Sequence, residues 1–285
     1  MKKKTKELSW LTLLPIYLFT LAFILGPLLY MAALSFMTRE EVWGVAAEFT
    51  LKNYQDILQP VYLNTFGESL KLAFLSTGLV VLLGYPFGYF MAKLTAKWKR
   101  RTMLLLMIPF GTSSLLRLYG WVIIFRAGGV FDQLLTALHI IDEPLKLLYT
   151  YPAVVVGMVY ALLPFMIFSV YSSAEKLDFR LVEAARDLGA GPVQAFLTVS
   201  LKLTLPGLLS GVVLTFVPSM GLFFIADILG GNKVVLVGSL IQEQLMKVHN
   251  WPFAAALSIA LLVLTSVILF LYRKISGVKD LEGLG

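Results

Sequence analysis

The segment Leu177–Pro206 reads LDFRLVEAARDLGAGPVQAFLTVSLKLTLP, and its pattern decides how the rest of the chain is interpreted. Asp178 can cap a helix that begins at Phe179, because its carboxylate can accept a free N–H of the first turn. Gly189 is placed to end that helix, and Pro192 can open a second one. The segment is polar enough to lie outside a membrane. It predicts a short helix, a glycine turn and a second helix that continues into an apolar run.

Apolar residues recur at helical spacing along the first of these helices. They are Phe179, Val182, Ala185 and Leu188. This spacing predicts that the four side chains share one packed face, and that the charged residues between them lie on the other faces.

The composition indicates a membrane protein. Hydrophobic residues make up 58% of the 285 residues, charged residues make up 14%, and the mean hydropathy is +0.82. A soluble domain carries about 25% charged residues. Inside a bilayer the backbone must satisfy its own hydrogen bonds, which favours helices of about 20 apolar residues. The fold class predicted is therefore an all-α membrane protein.

Six apolar blocks are long enough to predict six transmembrane helices. They are Leu8–Met37, Leu70–Leu94, Thr102–Phe125, Tyr151–Tyr171, Leu203–Ala226 and Pro252–Tyr272. The first block exceeds the apolar core of a signal peptide, which runs about 7–15 residues, so we interpret it as a retained helix. A further short helix is predicted at Leu51–Leu58, between the first and second blocks.

The basic residues predict the orientation of these six helices. Most of the 24 lysines and arginines lie before the first block, in residues 93–101, in residues 176–202 or after the sixth block. Basic loops stay on the cytoplasmic side. Both termini and the segment Leu177–Pro206 are therefore predicted to be cytoplasmic. Because the basic residues follow the topology, the net charge of +7 does not indicate a nucleic-acid partner.

The segment Leu177–Pro206 resembles the EAA loop of ATP-binding-cassette (ABC) importer permeases. The resemblance is carried by Glu183, Ala184, Ala185 and Gly189. It weakens at Lys202, where the family usually has proline. In that family the loop docks on a cytoplasmic ATPase subunit, so the resemblance implies that these four residues couple this chain to an ATPase.

Other stretches resemble the spermidine/putrescine permeases among these importers. They are GYPFGYFMAKL (84–94), SLLRLYGW (114–121), LLPFM (162–166), VYSSAEKLD (170–178), VPSMGLFFIADILGG (217–231) and NWPFAAA (250–256). The resemblance implies a type I importer permease fold, with residues 1–285 as a single transmembrane domain in the bacterial inner membrane. It also implies three partners: a second related permease subunit, an ATPase dimer and an extracytoplasmic polyamine-binding protein.

Motifs for chemistry on the chain itself are missing from the sequence. It has no G-x-x-x-x-G-K-[ST] phosphate-binding loop and no G-x-S-x-G nucleophile elbow. It contains no cysteine and only two histidines, His139 and His249, so a metal site is not expected. We therefore predict a non-catalytic subunit without its own cofactor, with ATP and magnesium held by the partner ATPase.

Two charged residues in apolar surroundings are candidates for a substrate path. Arg117 could face the path between helices or could extend its side chain to the membrane interface. Asp227 could contact a cationic solute or could be a turn residue before Gly230. Aromatic side chains could add ring faces for a cation or could be packing residues. They are Tyr119, Trp121, Phe223 and Phe224.

Two other functions compete with polyamine import. The same architecture could carry another small solute, such as sulfate or ferric iron, because Asp227 favours a cation and Arg117 an anion. A secondary transporter would need no ATPase, but it should place ionisable residues deep in several spans, and only Arg117 is predicted to be deep.

Overall fold

The computed structural model describes residues 14–40, 44–141, 143, 145–231 and 233–276. Within these ranges the elements follow one another in chain order. They are α1 (Leu14–Ser35), β1 (Met37–Arg39), β2 (Val45–Phe49), α2 (Lys52–Ile57), α3 (Pro60–Lys93), α4 (Ala96–Met107), α5 (Ser114–Phe125), α6 (Val130–Ala137), α7 (Tyr151–Glu175), α8 (Arg180–Asp187), α9 (Pro192–Gly221), α10 (Phe223–Gly230), α11 (Val237–Met246) and α12 (Trp251–Ser276).

Six helical segments in the described residues are long and apolar enough to cross a membrane. They are Leu14–Ser35, Pro60–Lys93, Ser114–Ala137, Tyr151–Glu175, Pro192–Gly221 and Trp251–Lys274. The prediction of an all-α membrane protein with six spans is confirmed. The basic residues before the first span, and the beginning of its predicted block, lie outside the described residues.

The contacts divide the chain into two compact units. The first comprises the described parts of Met1–Leu63 and Leu240–Leu264, and the second those of Asn64–Ser239 and Thr265–Gly285. In the first unit, β1 and β2 form a small antiparallel hairpin that the sequence did not predict. The predicted short helix is present as α2. The Asn53 side-chain amide donates hydrogen bonds to the carbonyl oxygens of Ser35 and Met37, at 2.9 Å each, and so joins α2 to the hairpin and to α1.

The predicted third span, Thr102–Phe125, is wrong. Helix α4 ends at Met107, a 3₁₀ turn covers Ile108–Gly111, and Thr112 is extended before α5 begins. Pro109 contributes to the interruption, because proline has no N–H and its ring clashes with the preceding turn of an α-helix, and Gly111 and the extended Thr112 follow it. Arg117 therefore lies near the start of α5, and the prediction that it is deep in the middle of a span is also wrong.

The predicted fifth span, Leu203–Ala226, differs at both ends from the helix observed. Helix α9 already begins at Pro192, inside the polar segment, and it ends at Gly221. The backbone leaves helical geometry at Leu222, whose ψ is +52°, and α10 then starts as a separate helix. Asp227 belongs to α10, so it does not end the fifth span as predicted. Hydropathy did not reveal the break because the residues on both sides of it are equally apolar.

Helix α7 is the centre of the second unit. Its first half packs with α5, α10 and Leu72 of α3 in one hydrophobic cluster. Its second half packs with the end of α3 in another cluster, which the first turns of α9 partly cover. Eight side chains of α7 that contribute to these clusters are at most 1% exposed. They are Ala153, Val154, Met158, Leu162, Met166, Ile167, Val170 and Ala174.

Glycine pairs bring α3 and α9 into close contact with α7. On α3, Gly84 and Gly88 lie against Met166 and Ile167, and a Cβ atom added at Gly88 would lie 2.8 Å from the Ile167 carbonyl oxygen. On α9, Gly207 and Gly211 lie against the same helix. Four-residue spacing of small residues allows such close approach of helix backbones in membranes.

Ser169 strengthens the contact between α9 and α7. Its hydroxyl donates a 2.8 Å hydrogen bond to the carbonyl oxygen of Gly207. A Cβ atom added at Gly207 would lie 2.4 Å from the Cβ atom of Ser173. Ser169 and Ser173 are themselves four residues apart, so small residues meet from both helices. These two glycine contacts set the position of the loop between α7 and α9.

Candidate functional site

The loop between α7 and α9 contains the residues that the sequence analysis selected for coupling, and it starts with a capped helix. The Oδ1 atom of Asp178 accepts a hydrogen bond from the Arg180 backbone N–H at 3.0 Å. Helix α8 begins at Arg180, one residue after the predicted start. The predicted role of Asp178 is thus confirmed, because its carboxylate satisfies a donor of the first turn that has no partner within the helix.

Helix α8 ends at a glycine turn. Gly189 has φ = +93°, the Gly189 N–H bonds to the Arg186 carbonyl at 2.9 Å, and the Ala190 N–H bonds to the Ala185 carbonyl at 3.0 Å. This pair of bonds is the Schellman motif, which favours glycine because of its positive φ. Pro192 then opens α9, as predicted. The loop is therefore a defined structure with both of its ends fixed by hydrogen bonds.

The faces of α8 only partly match the prediction. Phe179, Val182 and Ala185 are half-buried, as expected for a packed face. Leu188, however, is 90% exposed, so its assignment to that face is wrong. Leu188 follows the last helical residue and caps the helix, and its side chain no longer follows the helical register. Glu183 and Ala184 are exposed as well.

Two tyrosines of α3 hold the beginning of α9. The Tyr89 hydroxyl is 2.8 Å from the Ser200 hydroxyl, and the Tyr85 hydroxyl is 2.7 Å from the Thr204 hydroxyl. The Phe196 ring packs against both tyrosine rings, with centroids 5.6 Å and 6.0 Å away. All four hydroxyl-bearing residues are buried. Within each pair, the two hydroxyl groups provide each other with the hydrogen-bond partner that a buried polar group needs. These contacts attach the second half of the loop to α3.

Lys202, where the sequence departs from the EAA-loop resemblance, lies inside α9. The helix is continuous there, apart from a π turn at Phe196–Ser200 immediately before it. The Thr204 hydroxyl donates to the Ser200 carbonyl at 2.7 Å, inside this part of the helix. The continuous helix places Ser200 and Thr204 one turn apart, where the two tyrosines of α3 reach them.

The end of α7, just before the loop, is joined to α4. Lys99 Nζ lies 3.3 Å from the Glu175 carboxylate, and the Tyr171 hydroxyl donates to the same carboxylate at 2.5 Å. Exposed ion pairs contribute little on their own, about 0–1 kcal/mol. Here the carboxylate also has a tyrosine donor from its own helix, so it is held in one place. The basic segment at residues 93–101 thus contacts the base of the loop.

The candidate path residues of α5 lie in different surroundings. Arg117 stacks over the Phe110 ring at 5.5 Å, and its buried Nε atom has no hydrogen-bond partner among the described residues. Trp121 packs against Tyr160 of α7 with a centroid distance of 5.5 Å. Tyr119 is 58% exposed. The structure therefore does not gather these three side chains into a single site.

The candidate path residues of α10 are tied to other elements. The Ser239 hydroxyl donates a 2.7 Å hydrogen bond to the Asp227 carboxylate, which joins α11 to α10. Phe223 lies against Gly238, and Phe224 packs on the hydrophobic cluster around the first half of α7. Arg117 and Asp227 form no ion pair with each other.

Sequence reasoning missed the residues that position the loop. They are Gly84, Tyr85, Gly88, Tyr89, Ser200, Thr204, Gly207 and Gly211. One signal could have found four of them, because glycine pairs four residues apart within an apolar segment are typical of helix–helix contacts in membranes. The tyrosine hydroxyls gave no such signal, since their partners are more than a hundred residues away in sequence.

Comparison with known proteins identifies the family. Residues 84–276 match the model of the family described as binding-protein-dependent transport system inner membrane component. The chain is 42% identical over 254 residues to the spermidine/putrescine transport system permease protein PotB of Escherichia coli K12, covering 89% of this chain and 92% of that protein. It is 39% identical to PotB of Salmonella typhimurium SL1344, covering 98% and 100%.

The fold is also that of a solved importer. A crystal structure of a bacterial alginate ABC transporter, in complex with an alginate pentasaccharide-bound periplasmic protein, matches with a TM-score of 0.74. The sequences are 17% identical, and the match covers 96% of this chain and 95% of that one. The six spans, the type I importer permease fold and the family match all describe a multi-pass inner membrane protein. The chain therefore belongs to the family of binding-protein-dependent transport system inner membrane components and is a homologue of the PotB permeases.

Proposed function

We propose that this chain is a permease subunit of an ATP-driven importer of polyamines such as spermidine and putrescine. The observation that carries the proposal is the 42% identity with PotB over nearly the whole of both chains. Helices α3, α7 and α9 supply part of the transmembrane framework of the path. The chain performs no chemistry itself, and ATP and magnesium are bound by a partner ATPase.

Three partners follow from this proposal: a second related permease subunit, an ATPase dimer and an extracytoplasmic polyamine-binding protein. The alginate transporter supports an arrangement of this kind, because that transporter was crystallised with a periplasmic protein. The distribution of basic residues supports a cytoplasmic position for both termini and for the loop between α7 and α9. The ATPase would then meet the loop directly, while the binding protein meets the opposite side of the membrane.

Helix α8 is the proposed contact with the ATPase. Glu183 and Ala184 are exposed, Ala185 is half-buried, and Gly189 fixes the turn that follows. The exposed Leu188 adds an apolar contact that the sequence analysis did not assign to this role. An exposed helix on a well-fixed loop is suited to transmit movement, because the tyrosine and glycine contacts leave the loop little freedom to deform separately.

The substrate path itself stays a prediction. Asp227, Tyr119, Trp121, Phe223 and Phe224 remain the candidates for a cationic substrate. Arg117 is the candidate that fits a cation least, since like charges repel. Aromatic ring faces and a carboxylate are the groups expected to stabilise a polyamine. Because a second permease subunit would complete the path, a dispersed arrangement on this chain alone is compatible with the proposal.

ATP-dependent uptake of labelled spermidine tests the proposed function. The assembled complex and its binding protein are reconstituted in vesicles, and unlabelled putrescine and sulfate are added as competitors. We expect uptake that requires ATP and is reduced by putrescine but not by sulfate. A complex that hydrolyses ATP but takes up no spermidine would contradict the polyamine substrate, while uptake without ATP would contradict the importer mechanism.

The substitution Glu183→Lys tests the role of α8. We expect the complex to keep its ATPase subunit and hydrolyse ATP while spermidine uptake falls by roughly 30-fold, the effect of losing an interface contact worth about 2 kcal/mol. Asp187→Lys is the matched control, because it makes the same change of charge on an exposed residue of the same helix. Normal uptake by the Glu183 variant, or an equal loss in both variants, would rule out a specific role for Glu183.

A further inference from the structure

A pocket of about 420 Å³ lies between the end of α3, helix α8 and the first turns of α9. We call it the α3–α8 pocket. Its lining from α3 comprises Tyr85, Pro86, Tyr89, Phe90 and Lys93, and α8 and α9 add Val182, Arg186, Pro192, Phe196 and Ser200. The volume is that of a small-molecule site.

The charges of the α3–α8 pocket all have one sign. Lys93 and Arg186 line it, and none of its lining residues in the described ranges carries a carboxylate. Within the part of the chain that the structure describes, neither of the two cations belongs to an ion pair. The Lys93 ammonium lies 4.5 Å from the centre of the Tyr89 ring and 5.3 Å from that of Phe179. These rings hold the lysine in place without neutralising it.

The rest of the pocket surface is mostly apolar. Proline, valine and aromatic side chains form its walls, and Phe90 is 62% exposed. The Ser200 hydroxyl is already bonded to Tyr89. A ligand that fits this surface carries an anionic group for the two cations and an apolar part for the walls. A small hydrated anion would leave the walls uncovered.

The position of the pocket further restricts the chemical class of ligand that it could bind. Lys93 is the last residue of a helix that is long and apolar enough to cross a membrane, so we place the pocket near the end of that span. Four further basic residues follow at once in the chain and raise the local positive potential. They are Lys97, Lys99, Arg100 and Arg101. Arginine can bind a phosphate group through two parallel hydrogen bonds, and basic pockets between membrane helices suit anionic lipid headgroups.

We propose that the α3–α8 pocket binds the phosphate group of an anionic phospholipid, with Lys93 and Arg186 contacting the phosphate and the aromatic walls covering the start of its acyl chains. Such a lipid would bridge a membrane helix and the exposed helix α8. It would therefore stabilise α8 against α3 in the arrangement seen here. The proposal is independent of the transported substrate, since it concerns only the lipid.

Lipid retention by the purified complex tests this proposal. The full complex is placed in nanodiscs that contain phosphatidylcholine with or without phosphatidylglycerol, and the retained phosphatidylglycerol is measured by native mass spectrometry. The double variant Lys93→Gln/Arg186→Gln removes the two pocket cations. Lys97→Gln/Arg100→Gln is the matched control, because it removes the same charge from the neighbouring segment outside the pocket lining.

We expect the pocket variant to bind phosphatidylglycerol about 25-fold more weakly than the unaltered complex, from about fivefold for each cation. The control variant should change binding by less than about fivefold. Co-purification of the ATPase subunit verifies that both variants assemble. Equal retention by the pocket variant and the unaltered complex, or equal losses in both variants, would overturn the proposal.

A second experiment distinguishes a bound lipid from bound inorganic phosphate. Inorganic phosphate is titrated against complex already loaded with phosphatidylglycerol. We expect no displacement, because inorganic phosphate cannot cover the apolar walls. Saturable displacement that requires Lys93 and Arg186 would show a soluble phosphate ligand at the same two cations and would overturn the assignment to a lipid.

Discussion

Replacing Gly207 with valine is expected to destabilise the second unit strongly. An added Cβ atom would lie 2.4 Å from the Ser173 Cβ atom and 2.7 Å from the Ser169 carbonyl oxygen. The Ser169 backbone and the short Ser173 side chain could move away from the added atom only at a large cost in energy. Overpacking of this kind costs about 3 kcal/mol, which should lower the melting temperature by roughly 5–10 °C.

Gly67→Val is the matched control for Gly207→Val. Gly67 also lies within a membrane helix, but an added Cβ atom at this position would meet no described atom within 4 Å beyond its chain neighbours and the adjacent backbone of its own helix. Valine has a higher helix propensity than glycine, so we expect this control to be neutral or slightly stabilising. The measurement is the thermal unfolding of both variants in the same detergent, together with the yield of folded protein. A Gly207 variant as stable as its control would show that the close contact between α9 and α7 is not required.

Replacing Gly189 with valine is expected to reduce spermidine uptake by roughly tenfold or more while leaving assembly intact. Among the described residues, no atom other than those of Gly189 and its two chain neighbours lies within 4 Å of an added Cβ atom, so crowding is not the cause. The cause is backbone strain, because a β-branched residue at φ = +93° costs about 1–3 kcal/mol. The Schellman bonds from Gly189 and Ala190 would break to relieve the strain, and α8 would lose its fixed end.

Gly191→Val is the matched control for Gly189→Val. Gly191 is also exposed and also has open space around it, but its φ is −64° and its ψ is 163°. Valine adopts this extended geometry readily, and the following proline favours it. ATP-dependent uptake and co-purification of the ATPase are measured for both variants. Normal uptake by the Gly189 variant would show that coupling does not require a positive φ at this position.

Local rules of the sequence predicted the loop well. Asp178, Gly189 and Pro192 each act through their own backbone geometry or a neighbouring N–H group, and the structure confirms all three. Leu188 shows the limit of helical spacing, because the helix ends one residue before it and its side chain is exposed. A periodic pattern does not by itself state where the helix stops.

Hydropathy predicted the number of spans but not their interruptions. The break at Leu222 lies inside apolar sequence, so no change of polarity marks it. The turn at 108–113 does carry a signal, because it contains Pro109, Gly111, Thr112 and Ser113, but mean hydropathy alone does not register it. Arg117 and Asp227 consequently lie elsewhere relative to the spans than predicted, and their candidate roles depended on those predicted positions. The contacts that fix the loop join Tyr85 and Tyr89 to residues far along the chain, and only the folded structure shows such contacts.

The glycine contacts on both sides of α7 have a mechanical consequence. Close backbone packing leaves α3, α7 and α9 little room to slide or rotate separately. The loop leaves the end of α7 and returns as the start of α9, so both of its attachments belong to one rigid group. A force applied at α8 would therefore displace α3, α7 and α9 together. The compliance needed for any opening and closing would then reside at 108–113 and at Leu222, where the backbone leaves helical geometry.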